Sequence, residues 1–187
     1  MNTSLQRTIH ESIHGDYYPG IVGSVKKIPE NPNGLSFLSI QRQAISLRIA
    51  AALLRHVESE KLGHVLQAPC GIVLSKRVIR PDILFIARER RGIIGRANLY
   101  APPDLIVEVH SSARRAKYLR LRKSLYASLE VKEYWIVCPE TAAVEVLIWS
   151  ELGFLSAGTY GKNGYLCSPL LPGLRLPLSR VFQMEDD

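Results

Sequence analysis

The segment Ala101–Ser112 reads APPDLIVEVHSS. Leu105, Ile106, Val107 and Val109 give it the length and β-branched enrichment of a strand buried in a sheet, opened by prolines and closed by serines. Glu108 stands in the middle of that run. A carboxylate among apolar neighbours loses hydration, and a protein compensates only by pairing it, protonating it or binding it to a cation. Whatever this chain folds into must therefore bring a partner to that strand. Alternation narrows where: side chains two apart share a face, so Glu108 lies with Ile106 and His110, opposite Leu105, Val107 and Val109.

The chain of 187 residues, 47% hydrophobic, is long enough for one domain with its own core. No apolar run approaches the roughly 18 residues that span a bilayer. The start, MNTSLQRTIHES, lacks the charged-then-apolar pattern of a signal sequence. No membrane association and cytoplasmic residence are the expectation. Cys70, Cys138 and Cys167 are scattered with no CxxC pairing, which argues against a disulfide framework or a structural zinc site and leaves them as core thiols. The strong bias is charge: a formal net charge of +7 points toward a polyanionic partner. Arginines concentrate in 87–96 and 113–123, on either side of the glutamate strand. Solvated faces are the bland reading of both clusters.

Residues 1–19 are polar and irregular and read as an N-terminal extension, leaving 20–187 as a single domain. PENPNG, at 29–34, is a loop of turn formers. Beyond it Ile40, Ala44, Leu47, Ala51 and Leu54 alternate spacings of four and three, which predicts a helix ending near Lys61 with that stripe on the core. Strands are predicted at 71–74 and 82–86, then at the glutamate segment, and again at 133–137 and 143–149. A second helix is predicted over 113–129, with Tyr118, Leu121, Leu125 and Leu129 as its buried stripe, Arg122 at the edge and Lys123 nearly opposite. The order implies an α/β (α+β) domain, a mixed central sheet flanked by helices.

The letters HESIH at 10–14 match the HExxH pattern of zinc peptidases. That motif needs a regular helix to bring both imidazoles to one ion. Gly15 follows at once and no third ligand is evident, so zinc is discounted. A second constellation carries more chemistry. RPDILFIA places Asp82 at the start of one strand, and DLIVEVH places Glu108 inside another with His110 on its face. Two acids on neighbouring strands can hold a divalent cation, which lowers the pKa of a bound water for attack on phosphorus.

Pro81–Asp82 followed by Glu108-Val109-His110 resembles the PD-(D/E)XK nuclease signature. The longer text PPDLIVEVHSS, then LYASLEVKEYWIV at 125–137 and LPGLRLPLSRVF at 171–182, resembles the Uma family of restriction-endonuclease-like proteins over about residues 20–182. The resemblance implies a restriction-endonuclease-like core, a DNA substrate, Mg²⁺ or Mn²⁺ on Asp82 and Glu108, and a homodimer. It implies a catalytic lysine on the helix four residues before Tyr126, and that position here is Arg122. An arginine keeps the charge but is a poor proton acceptor. His110 is a second candidate for the basic function. Ser24, Arg42 and Tyr118 stand where the family tends to carry an acid, a histidine and an aspartate. Arg114, Arg115, Lys117 and Lys123 are the expected phosphate contacts. Three readings stay open: a metal-dependent endonuclease, a catalytically silent nucleic-acid binder, and a structural role in which a neighbouring arginine neutralises Glu108.

Overall fold

The computed structural model describes residues 34–74, 77–110 and 115–183. The 19/20 boundary, Ser24, Arg114 and the HESIH segment lie outside them. In chain order the elements are α1 (Gly34–Ser59), β1 (Gly63–Gln67), β2 (Gly71–Leu74), β3 (Arg77–Ile79), β4 (Ile83–Ala87), a 3₁₀ segment (Arg88–Ile93), β5 (Asn98–Leu99) and β6 (Leu105–Val109). They continue with α2 (Arg115–Ser128), β7 (Glu133–Cys138), β8 (Ala143–Ser150), β9 (Gly153–Gly161), β10 (Tyr165–Cys167), β11 (Arg175–Pro177) and α3 (Leu178–Val181).

Six strands form the central sheet in the order β1-β4-β6-β7-β8-β9. Its one parallel pair is β6 with β7, and every other neighbour is antiparallel. A parallel pair needs a crossover, and α2 supplies it. Two smaller sheets, β3-β2-β5 and β10-β11, stand beside this one. At the start of β1, a side chain on Gly63 would lie 2.0 Å from the carbonyl of Ile86, so only glycine lets β1 approach β4 there.

Helices cover both faces. On one, Ile83, Phe85, Val107 and Trp135 pack with Ile45, Ile49, Leu53 and Val57 of α1 and with Leu178 and Val181 of α3. Arg48 of α1 also donates to the carbonyls of Val181 and Gln183, tying the end of α3 to that layer. On the other face, Leu84, Ile106, Tyr134 and Ile136 pack with Tyr126 of α2. The alternation expected along β6 holds: Leu105, Val107 and Val109 join the first layer and Ile106 the second.

Both helices correct the expected core stripe. On α1, Ile40, Leu47 and Leu54 are 61%, 60% and 41% exposed, and the buried stripe is Ile45, Ile49, Leu53 and Val57. That helix carries apolar residues on two faces, and the sheet receives the one formed by Ile45, Ile49, Leu53 and Val57. On α2 the correction is partial: Tyr118 and Leu121 are exposed, whereas Leu125 and Leu129 of the expected stripe are partly buried and pack with Leu119 and the fully buried Tyr126 on the inner face, where Arg122 also lies. Arg122 is therefore not at the edge of the packed stripe but within it. Of the thiols expected in the core, Cys138 is buried and Cys167 is exposed.

Candidate active site

Ile83 of β4 stands opposite Val107 of β6. One step further along the same antiparallel register, Asp82 comes opposite Glu108. The Asp82 side chain extends the ladder as an acceptor: its Oδ2 accepts the Val109 N–H at 2.7 Å. Arg42, from α1, places Nη2 at 2.7 and 2.9 Å from the two Asp82 oxygens. Three hydrogen bonds thus converge on this carboxylate.

The Glu108 carboxyl is 3% exposed and fully engaged. Tyr126 donates its hydroxyl to Oε1 at 2.8 Å. Tyr134, from the parallel neighbour β7, donates to Oε2 at 2.9 Å. The His110 Nε2 lies 2.8 Å from Oε2. Arg122 Nε is 3.7 Å from Oε1 and donates to the Tyr118 hydroxyl at 2.7 Å, with its guanidinium 4.9 Å above the Tyr118 ring. The partner demanded by an in-strand glutamate is a set of groups from β6, β7 and α2.

Burial pushes the Glu108 carboxyl up, but the hydrogen bond from His110, the charges of Arg122 and His110 and the hydrogen bond from Tyr126 outweigh it, and the group lies below its ordinary value. Glu108 is therefore an anion at neutral pH. A carboxylate only accepts, so the His110 Nε2 carries the proton in their hydrogen bond. Burial first, then the Glu108 charge, pushes the Tyr126 and Tyr134 hydroxyls far up, and they remain donors. Arg122 loses hydration, yet Tyr126, Glu108 and Tyr118 together hold it above its ordinary value. It stays a cation and has no neutral state with which to take a proton.

Glu108, His110, Arg122 and Tyr118 form one connected set, and Asp82, carrying Arg42, is tied to the same strand through the Val109 N–H. Arg115 and Lys117 fall in the first turn of α2, whereas Lys123 is paired with Glu145 at 3.2 Å. Neither Tyr126 nor Tyr134 was expected as a donor to Glu108. Face alternation carried the signal for Tyr134: Ile106 pairs with it in parallel register, so its side chain shares the face of Ile106 and Glu108.

Among the described residues no three His, Cys, Asp or Glu side chains gather into a cage. Asp82, which reaches the surface, and Glu108, one step beyond the Ile83–Val107 pair, are carboxylates of the kind and number that suit Mg²⁺, an ion held by one or two carboxylates that keeps several waters.

Residues 37–179 match the family profile described as "Uma2: Putative restriction endonuclease". The chain belongs to the Uma2 family. Among solved structures, this Uma2 protein is similar to a crystal structure described as a "putative nuclease belonging to DUF820" from Anabaena variabilis ATCC 29413. The TM-score is 0.60 at 13% identity, over 76% of this chain and 80% of that one. At that identity the likeness shows the fold, a mixed sheet flanked by helices of nuclease type. No curated protein matches the chain.

Proposed function

We propose that this Uma2 protein is a DNA endonuclease that hydrolyses phosphodiester bonds with Mg²⁺ or Mn²⁺ held by Asp82 and Glu108. The observation that carries the reading is the anchoring of the Asp82 carboxylate on the Val109 N–H, one peptide from the buried, ionised Glu108. Family membership supports the reaction class, because nucleases of the restriction-endonuclease type generally use divalent metals. When bound, the ion supplies a water of lowered pKa and polarises a phosphoryl oxygen.

The chain's own residues have distinct tasks. Tyr126, Tyr134 and His110 orient Glu108 and keep it anionic at a depth where an unpartnered carboxylate would protonate. Arg122 stays charged within reach of Glu108 and steadies negative charge developing on phosphorus. It cannot act as base, so His110 is the group beside Glu108 able to exchange a proton. Supercoiled plasmid incubated with Mg²⁺ or Mn²⁺ is expected to be nicked by the wild type and spared by Asp82→Ala. Equal nicking by both proteins excludes this reading.

The Arg42–Asp82 pair favours a second reading, in which internal cations balance the acids and the protein binds DNA without cleaving it. Exposed Arg88, Arg91, Arg96 and Arg120 would then supply phosphate contacts. Affinity would fall linearly in log–log form with added salt, in the absence of any divalent ion. A gel-shift series indifferent to salt argues against it.

A further inference from the structure

We propose that Arg42 sets the metal affinity of the acid pair: its guanidinium occupies the cation position on Asp82 and must leave before a divalent ion can take that carboxylate. The inference rests on the reading of Asp82 and Glu108 as metal ligands.

The two acids are held in different ways. The Glu108 donors are two buried, neutral hydroxyls and one imidazole on the strand itself, fixed by the core around them. The Arg122 guanidinium stands off at 3.7 Å from Oε1, beyond hydrogen-bond distance, and a hydroxyl proton leaves the carboxylate its full charge. Asp82 instead carries a full positive charge bound across both oxygens at 2.7 and 2.9 Å. The single Nη2 sits between both oxygens, on the side of the carboxylate where an ion would be shared between them.

The two partners also differ in exposure. The Asp82 side chain is 16% exposed and the Arg42 side chain 50%. An ion pair with one partner half in water is of the weaker kind, so Arg42 is displaceable. Room for its guanidinium is at hand: a cavity of about 580 Å³ opens beside Asp82, with Arg42, Gln43, Ser46 and Gln67 in its wall. Gln67 is turned toward Ser46, donating to its hydroxyl at 3.2 Å, which leaves the polar wall intact when Arg42 moves. Arginine has no accessible neutral state, so competition for Asp82 persists wherever the carboxylate is ionised.

The test is calorimetric titration of MnCl₂ into the full chain freed of metal. Wild type, Arg42→Ala, Arg42→Gln and the double variant Arg42→Ala with Asp82→Asn are compared, each checked by circular dichroism and urea midpoint. Both Arg42 variants are expected to bind Mn²⁺ at least about tenfold more tightly than wild type, the effect of relieving one opposing charge at close range. Asp82→Asn is expected to abolish the gain. Equal affinity in wild type and both Arg42 variants overturns the proposal and leaves the metal reading standing. Mn²⁺ binding by none of the proteins overturns both.

Discussion

Four groups meet Glu108 inside 4 Å, and each removal has its own signature. Deleting the carboxylate charge with Glu108→Gln strands Arg122 and His110 beside a neutral amide; breaking a buried charge set from one side costs about 3 kcal/mol. Tyr134→Phe removes one hydrogen bond to a charged acceptor and is expected to cost about 2 kcal/mol. Urea unfolding of both variants measures this, and a loss below about 0.5 kcal/mol for both would mean that the cluster contributes little to the fold. The need for a partner at position 108 was legible in six letters of sequence. The identity of the donors was not, because Tyr126 and Tyr134 have apolar bodies that fit a core pattern and show their polar tips only once α2 and β7 are placed.

At the level of elements, α1 shows where periodicity stops deciding. Ile40, Leu47 and Leu54 repeat every seven residues as regularly as Ile45, Ile49, Leu53 and Val57 follow the helical repeat. Spacing alone cannot choose between two apolar faces; the choice is made by which side chains fill the space above Val107 and Trp135. Leu53→Ala is expected to cost about 2–5 kcal/mol and Leu47→Ala less than about 0.5 kcal/mol. Chemical denaturation settles the comparison, and equal losses would reinstate the outward stripe as core. Arg122 teaches the same lesson on α2. A charged residue is assigned to a helix edge by pattern, yet here it lies on the packed face because Glu108 lies below it. The strands were more legible, since β4, β6, β7 and β8 are short β-branched runs bounded by turns, whose ends the structure shifts by one residue or none.

For the molecule as a whole, stability against pH follows from three buried acids. Glu108 and Asp104 lie below their ordinary values of 4.5 and 3.8. For Asp104 the burial penalty is outweighed by Lys132, the Ala87 N–H and Arg90. The unfolded chain thus binds more protons, so their contribution is full above those ordinary values and is lost as pH falls through the folded ones. Glu133 has the opposite sign. Burial pushes it up against hydrogen bonds from Trp135, Ser168 and the Leu170 N–H. Its contribution is present below 4.5 and is lost as pH rises through the folded value. Urea midpoints across pH 3–8 are expected to show an acid limb, and Glu133→Gln is expected to flatten the decline on the alkaline side. An unchanged profile in that variant would contradict the assignment.

The most direct measurement is the anomalous scattering of a crystal of the wild-type chain grown in saturating Mn²⁺. The account expects one peak at coordination distance, about 2.1 Å, from carboxylate oxygens of both Asp82 and Glu108, with Arg42 turned away from Asp82. Density for Arg42 still on Asp82, with the ion absent or bound elsewhere, would contradict it.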